Sequence, residues 1–242
     1  MYRLINGDCL NVMTELADRS IDMILTDPPY GITRNSWDTP ISFELMWQQY
    51  ERIIKDNGAI VLFGSGAFTA QLIMSNIKLW RYNLIWQKTT PTGFLNANIM
   101  PLRTHEDICV FYKHKPTYNP QKTTGHLRKV STAEHKRNSR LSTDYNNYKV
   151  KSYDSTERYP TSVLTFPTDK QVSPLHATQK PVELLKYLIR TYSNEDDFIL
   201  DSCMGSGSTV IAALETGRNI IGIEMDKQSF DSADMRIKAY LQ

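Results

Sequence analysis

Residues 21–30 read Ile-Asp-Met-Ile-Leu-Thr-Asp-Pro-Pro-Tyr, and this stretch decides how the rest of the 242-residue chain is interpreted. The apolar run that ends at Thr26 predicts a buried parallel strand. Two consecutive prolines cannot donate hydrogen bonds to a neighbouring strand, so the strand must end at Asp27. A carboxylate and a rigid turn therefore follow the strand at its carboxyl end, which is the edge where open α/β sheets bind ligands.

The four residues from Asp27 to Tyr30 suit one kind of chemistry. The Asp27 carboxylate and the Pro28 carbonyl are acceptors on a stiff backbone, and together they can take both hydrogens of an exocyclic amine. Acceptors placed in this way favour the pyramidal, reactive form of an amine whose lone pair is otherwise delocalised into a ring. Tyr30 offers a flat ring on which a base can stack. The alternative interpretation is a turn that ends a strand beside an incidental tyrosine.

Strand and helix patterns alternate on both sides of this stretch. Apolar runs predict further strands at residues 2–8, 59–63, 82–87, 107–112, 198–201 and 219–224. Amphipathic patterns predict helices at residues 9–17, 42–55, 67–76, 181–191, 209–215 and 227–240. This alternation is typical of βαβ units and of a mostly parallel sheet.

The C-terminal part of the chain contains a glycine turn between two strands. The first strand ends at Asp201, glycines follow at 205 and 207, and the second strand ends at Glu224. The glycines let a ligand approach the backbone, and an acid at the end of the next strand can bind ribose hydroxyls. Position 210 is Val instead of the third glycine of a dinucleotide-binding turn, which favours a ligand without phosphates.

Positive charge is concentrated in the middle of the chain. Residues 112–160 contain eleven Lys and Arg against four Asp and Glu, a net charge of +7, whereas the whole chain carries +2. The stretch is rich in Tyr and has no helix or strand period. We interpret it as a nucleic-acid-contacting segment, with cations on phosphates and tyrosines on bases or sugars. The alternative is a solvated, mobile insertion.

Composition argues against several classes of protein. No run approaches the ~18 consecutive apolar residues of a membrane span. Cys9, Cys109 and Cys203 form no Cys-x-x-Cys pair. This pattern favours a reducing, cytoplasmic location and argues against a structural zinc site, so we predict no metal.

Three motifs in this order resemble a known family. Asp27–Tyr30, His176-Ala177-Thr178-Gln179-Lys180-Pro181 and Asp201–Thr209 resemble the exocyclic-amino DNA methyltransferases of the β arrangement, in which the catalytic half precedes the S-adenosylmethionine half. The resemblance implies an α/β, Rossmann-like methyltransferase fold with a seven-stranded, mostly parallel sheet and a circularly permuted motif order. It divides the chain into a catalytic half (1–111), a basic target-recognition insertion (112–174) and a cofactor-binding half (175–242).

The resemblance also assigns roles to residues. The catalytic residues would be Asp27, Pro28, Pro29 and Tyr30. S-adenosylmethionine would be bound by Asp8, Cys9, Asp27, His176, Thr178, Gln179, Lys180, Asp201, Cys203, Met204, Gly205, Ser206, Gly207, Thr209, Glu224 and Met225. From the charge pattern, the DNA contacts would be Lys122, Arg128, Lys129, Lys136, Arg137 and Arg140. His105-Glu106 resembles a pair that the family often places before its last strand, and no role is assigned to it here.

We therefore expect methyl transfer to the exocyclic N6 of an adenine flipped out of double-stranded DNA, which cannot be reached inside the duplex. Transfer to N4 of cytosine is the first alternative, and methylation of a protein glutamine amide is a more distant one. The family resemblance further allows a cognate restriction endonuclease and a homodimer.

Overall fold

The computed structural model describes residues 1–31, 39–133, 151–168 and 179–242. These residues divide into two compact units. The larger unit comprises residues 1–119 and 162–242, and the smaller comprises residues 120–161. None of the helices in the described ranges is long and apolar enough to cross a membrane.

The larger unit is built on one mixed sheet. Its strands are β1 (Tyr2–Asn6), β2 (Ile21–Thr26), β3 (Ile54–Gly64), β4 (Trp80–Thr92), β5 (Arg103–Phe111), β8 (Val163–Phe166), β9 (Phe198–Asp201) and β10 (Asn219–Glu224), and the smaller unit contributes the hairpin β6 (Lys129–Ser131) and β7 (Tyr153–Ser155). The order in the large sheet is β1-β10-β9-β2-β3-β5-β4-β8. Every neighbouring pair is parallel except those that involve β5. The predicted α/β, mostly parallel sheet is confirmed.

The described part of the sheet has eight strands, against the seven expected from the sequence. The additional strand is β8, which pairs in parallel with β4 from Ile85↔Val163 to Lys88↔Phe166. Residues 163–166 fall inside the stretch that the sequence assigns to the insertion. Four residues are too few to produce a recognisable period, so this strand is specified by its pairing with β4 and not by its own pattern.

Helices cover both faces of the sheet. They are α1 (Cys9–Thr14), α2 (Phe43–Ile53), α3 (Ala67–Ser75), α4 (Val182–Tyr192), α5 (Ser208–Glu215) and α6 (Lys227–Tyr240). Successive side chains of a strand point to opposite faces. Met23 and Leu25 of β2 accordingly pack with α4 and α5 on one face, whereas Ile24 packs with α1, α2 and α3 on the other.

The chain reverses its direction across the sheet between β9 and β2. From β2 the sheet continues to β3, and from β9 it continues the other way to β10 and β1. Such a switch point opens a crevice at the carboxyl ends of the strands, where ligands bind in α/β sheets. Asp27 and Asp201, at the ends of β2 and β9, therefore lie side by side at this crevice.

Candidate active site

A cavity of about 900 Å³ opens at the switch point, a size typical of ligand-binding sites. Its wall includes most of the residues predicted to act in catalysis or cofactor binding: Asp8, Cys9, Asp27, Pro28, Pro29, Tyr30, Gln179, Lys180, Asp201, Cys203, Met204, Gly205, Ser206, Thr209, Glu224 and Met225. Residues from both ends of the chain are thus brought to one site.

Two donors hold the Asp27 carboxylate. The Tyr30 hydroxyl donates a hydrogen bond to Oδ1 over 2.6 Å, and the Lys180 ammonium donates to Oδ2. Lys180 follows Asp27 by 153 positions, so this ion pair joins the two halves of the unit. Both oxygens are already engaged, which fixes the orientation of the carboxylate. A further donor must displace one of these partners or share an oxygen with it.

Lys180 belongs to a line of four alternating charges that we call the charge row: Lys88, Glu106, Lys180 and Asp27. Glu106 Oε1 lies 2.5 Å from Lys88 Nζ, and Oε2 lies 3.3 Å from Lys180 Nζ. The Lys88, Glu106 and Lys180 side chains are only 10%, 16% and 11% exposed. Buried charges are tolerated when they are paired, and this row contains two of each sign.

The charge row keeps its central members ionised. Burial alone would raise the pKa of Glu106, but the Lys180 and Lys88 cations outweigh it and lower that pKa below its ordinary value. Burial alone would lower the pKa of Lys180, but the Asp27 and Glu106 carboxylates raise it. Both groups are therefore charged at neutral pH.

Tyr30 has an aromatic support and a fixed hydroxyl. Its ring stacks on Phe68 with centroids 4.5 Å apart and planes inclined by 28°. Burial, together with the nearby Asp27 and Glu106 carboxylates, raises the pKa of the Tyr30 hydroxyl well above its ordinary value. The hydroxyl is therefore a permanent donor to Asp27, and the ring is held rigidly in the cavity wall.

Asp201 anchors the turn that follows β9. Its Oδ1 accepts from the Thr26 hydroxyl at 2.6 Å and from the Cys203 backbone N–H at 3.2 Å. Burial raises the pKa of Asp201 to about 6 in spite of these hydrogen bonds and one from Thr209. The residue ties the end of β2 to the start of the glycine turn, and so fixes the distance between the two halves of the site.

Glu224 holds the glycine turn from the other side. Its Oε2 accepts from the Gly205 N–H at 2.9 Å, and its Oε1 accepts from the Asp226 N–H at 2.8 Å. A Cβ built on Gly205 would meet nothing within 4 Å, so this backbone faces open space. Gly207 has a φ of +76° and caps α5, and a Cβ there would come within 2.9 Å of Ile237. The turn therefore leaves open space beside Gly205, whereas Gly207 is needed for close packing against Ile237.

Cys9 and Cys203 bring the N-terminal helix to this turn. The neighbouring Cys203 thiol lowers the pKa of Cys9, and Cys9 together with burial raises the pKa of Cys203. Asp8, immediately before Cys9, accepts from the Asn11 N–H at 3.0 Å and caps α1. These residues close the side of the cavity next to Glu224.

Comparison with known proteins gives the family. The sequence model of the N6/N4 methylase family, whose description is DNA methylase, matches residues 21–235 of this chain.

The chain belongs to this DNA methylase family.

Curated relatives match the methylase over nearly its whole length. The type II methyltransferase M.HinfI of Haemophilus influenzae is 29% identical over 97% of this chain and 68% of its own length. The type II methyltransferase M1.MboII of Moraxella bovis is 25% identical over 94% of this chain and 93% of its own.

Solved structures show the same fold. The M1.HpyAVI–SAM complex superposes with a TM-score of 0.65 at 22% identity, covering 98% of this chain and 100% of that one. The cytosine-N4-specific PvuII DNA methyltransferase superposes with a TM-score of 0.69 at 15% identity, covering 97% of this chain and 87% of that one. The predicted methyltransferase fold is confirmed.

Some predicted residues cannot be placed at the site. His176 and Thr178 lie outside the described residues, and so do Lys136, Arg137 and Arg140. Gly207 is described but does not line the cavity. Lys180, predicted to bind the cofactor, contacts Glu106 and the predicted catalytic residue Asp27.

Sequence reasoning overlooked Lys88 and left Glu106 without a role, although the methylase places both beside Lys180. Trp86 pairs with Glu106 across β4 and β5, and Lys88 reaches back to Glu106 from two positions further along β4. The sequence signal for this ion pair was a Lys on β4 and a Glu on β5, two strands that also contain buried apolar residues. Only the pairing of those two strands shows that the charged residues are neighbours. No group of three or more metal-ligating side chains occurs in the described ranges.

The smaller unit of the methylase carries the described part of the predicted DNA contacts. Lys122, Arg128 and Lys129 are exposed there. Lys122 pairs with Glu157 at 2.8 Å, and Arg128 forms two hydrogen bonds to Asp154 at 2.8 and 2.6 Å. Lys129 lies in β6, which pairs with β7. Two of these cations are therefore held in defined positions by carboxylates of the same unit.

Proposed function

We propose that this methylase transfers a methyl group from S-adenosylmethionine to the exocyclic N6 of an adenine flipped out of double-stranded DNA. The observation that carries the proposal is the position of Asp27. Its carboxylate lies at the switch point of the sheet, followed by Pro28 and backed by Tyr30, in the same cavity as the glycine turn and Glu224. A proposed amine acceptor and a proposed nucleoside-binding turn thus line one cavity.

The residues of the cofactor half fit S-adenosylmethionine, which when bound supplies the methyl group from a sulfonium centre. Asp8, Asp201, Glu224 and Asp226 line this part of the cavity, and acids suit a cationic ligand. Glu224 uses each carboxylate oxygen once for the backbone, which leaves lone pairs for ribose hydroxyls. The open space at Gly205 lets a ligand lie against the backbone.

The residues of the catalytic half fit an aromatic amine. Asp27 and the Pro28 carbonyl accept its two hydrogens, and Tyr30, supported by Phe68, stacks with the ring of the base. Lys180 already donates to Oδ2 of Asp27, so the amine must either share that oxygen with the ammonium or displace it. Glu106 Oε2, 3.3 Å from Lys180 Nζ, is a second carboxylate to which the ammonium can turn. We propose that Lys180 moves from Asp27 to Glu106 when the target base enters.

The cations of the smaller unit fit the DNA backbone. Lys122, Arg128 and Lys129 are exposed on residues 120–161, and phosphate contacts of this kind position a protein on a duplex without reading its sequence. This polyanion-binding surface favours DNA over a protein glutamine amide as substrate. A cognate restriction endonuclease and a homodimer stay predictions.

The test is methylation of plasmid DNA with purified protein and S-adenosylmethionine, followed by mass spectrometry of the nucleosides and single-molecule sequencing. We expect N6-methyladenine in one sequence context. N4-methylcytosine instead would keep the mechanism and change the base, because the same acceptors fit that amine. Activity of Asp27→Ala close to that of the unchanged protein would refute the assignment of Asp27.

A further inference from the structure

The tip of the β4–β5 hairpin exposes four large apolar side chains. Phe94, Leu95, Ile99 and Met100 are 75%, 101%, 78% and 52% exposed. Single exposed apolar residues are common, but a group of them at one loop tip marks a contact surface. We call residues 93–100 the hairpin tip.

The hairpin tip is a folded turn. Gly93 adopts a left-handed φ of 92°, which places residues 94–96 in a 3₁₀ turn. The Asn96 N–H donates to the Gly93 carbonyl at 2.9 Å, and the Met100 N–H donates to the Asn96 carbonyl at 3.0 Å. The backbone thus satisfies its own hydrogen bonds while it holds the apolar side chains outward. A preorganised surface of this kind loses little entropy on binding.

The hairpin tip begins at the rim of the active-site cavity. Pro91, Thr92 and Arg103, which flank it on both strands, line the same cavity as Asp27. β5 pairs with β3 only as far as Asp107, so the arms of the hairpin extend beyond the neighbouring strand. The tip therefore projects from the rim of the cavity that contains Asp27.

The charge of the hairpin end suits a polyanion. Residues 91–103 contain no Asp or Glu, and their one charged side chain is that of Arg103. Asn96 and Asn98 are exposed beside the apolar side chains and offer amide donors. Apolar contact without acidic repulsion is what entry into a base stack requires.

We propose that the hairpin tip inserts into duplex DNA beside the target and fills the gap left in the base stack when the target nucleotide turns into the cavity. The inference rests on the proposed function and adds the element that opens the duplex. Extruding a base costs stacking and pairing energy. Phe94 and Leu95 are the more exposed of the two pairs of consecutive large apolar residues in the tip, and they can return part of that cost by packing against the neighbouring bases.

The test compares two duplexes that contain the sequence methylated in the plasmid experiment. One is fully paired, and the other has an abasic position opposite the target base, which makes extrusion easier. We expect the double variant Phe94→Ser/Leu95→Ser to methylate the paired duplex at least tenfold more slowly than the unchanged protein. On the abasic duplex its rate should fall within threefold. Met74→Ser, which changes a 70% exposed residue of α3 outside the cavity, should leave both rates unchanged.

Phe94→Trp gives a second measurement that needs no methyl transfer. It keeps a stacking ring at the tip, so the rate on paired DNA should be retained. Its added indole fluorescence should also be quenched by duplex DNA, relative to the unchanged protein. Quenching without methylation by the unchanged protein would reject the proposed function and leave the DNA contact standing.

Other outcomes overturn the proposal. Equal slowing of the double variant on both duplexes would show that the tip does not assist base extrusion. Conversion of a dimer to a monomer by the double variant in sedimentation, with slowing on both duplexes, would assign the tip to a second copy of the chain. An unquenched Phe94→Trp variant with normal rates for the double variant would remove the contact altogether.

Discussion

Replacing Glu106 by Gln tests the charge row. The substitution keeps the shape of the side chain and removes one negative charge, so Lys180 keeps only Asp27 of its two carboxylates and Lys88 loses the carboxylate with which it pairs. Both lysines are about nine-tenths buried, and water therefore compensates them poorly. Removing one partner of a buried pair costs about 3–5 kcal/mol. Because the row keeps slight solvent access, we take the lower limit, about 3 kcal/mol.

The assay is thermal and urea unfolding followed by circular dichroism at pH 7.5. For a chain of this size a loss of 3 kcal/mol corresponds to a fall in Tm of roughly 6–12 °C. Glu183→Gln is the matched control. It removes the ion pair in which Glu183 Oε1 lies 2.7 Å from Lys186 Nζ, and the Glu183 side chain is 66% exposed. The control should change the free energy of unfolding by less than about 0.5 kcal/mol.

The pH dependence of the free energy of unfolding tests the sign of the Glu106 contribution. The folded-state pKa of Glu106 lies below its ordinary value of 4.5. Its ionisation therefore stabilises the fold above the unfolded pKa, and that stabilisation is lost as the pH falls through the folded pKa. The difference between the unchanged protein and Glu106→Gln should be full at neutral pH and shrink below about pH 4.5. A variant as stable as the unchanged protein at neutral pH would refute the charge row as a stabilising element, and so would a difference that does not shrink in acid.

Four further predictions concern the site and the DNA surface. Asp27→Ala should reduce methyl transfer at least ~10³-fold while S-adenosylmethionine affinity measured by calorimetry stays within a few-fold, because the variant loses the amine acceptor. Tyr30→Phe should keep most of the activity that Tyr30→Ala loses, and equal loss in steady-state assays would show that the hydroxyl, which donates to Asp27 at 2.6 Å, is essential. Burial raises the pKa of Asp201 to about 6, so this group favours the fold at low pH and the benefit is lost as the pH rises through 6; urea titrations should show that dependence in the unchanged protein and not in Asp201→Asn. Neutralising Lys122, Arg128 and Lys129 together should reduce the slope of log DNA affinity against log salt by roughly 0.9 for each phosphate that the variant no longer neutralises, and an unchanged slope in fluorescence anisotropy would place the DNA surface elsewhere.

Local patterns are sufficient for the elements that carry the catalytic motif. β2 ends at Thr26 because two prolines follow Asp27, and this rule needs no knowledge of the rest of the chain. The last helix, Lys227–Tyr240, has the bounds that its sequence pattern predicts, and Asp226 caps it by accepting from the Ser229 N–H. Glu224, the acid at the end of β10, is likewise predicted from the local pattern alone.

Pairing between distant segments could not be read from the sequence. The predicted helix at 42–55 ends at Ile53 instead, because Ile54 already pairs with Ile21 as the first residue of β3. β8 depends on β4 in the same way. The motif around Lys180 predicts a contact with the cofactor, whereas its position beside Asp27 follows from the packing of α4 against the sheet. In each case the decisive partner lies far away in the chain, and local periodicity contains no information about it.

Under the proposed function, the arrangement of Lys180 explains how the Asp27 carboxylate, whose side chain is 31% exposed, stays paired before its substrate arrives. Asp27 is partly buried in the cavity wall, so a cation beside it offsets the cost of holding its charge there before the base arrives. If that cation then had no second partner, releasing Asp27 would leave a buried ammonium uncompensated. Glu106 removes this difficulty, because Lys180 exchanges one carboxylate for another within about one hydrogen-bond length and the total charge of the row stays the same. The exchange should therefore cost little, and loss of Glu106 should slow methyl transfer even at temperatures where the variant is fully folded.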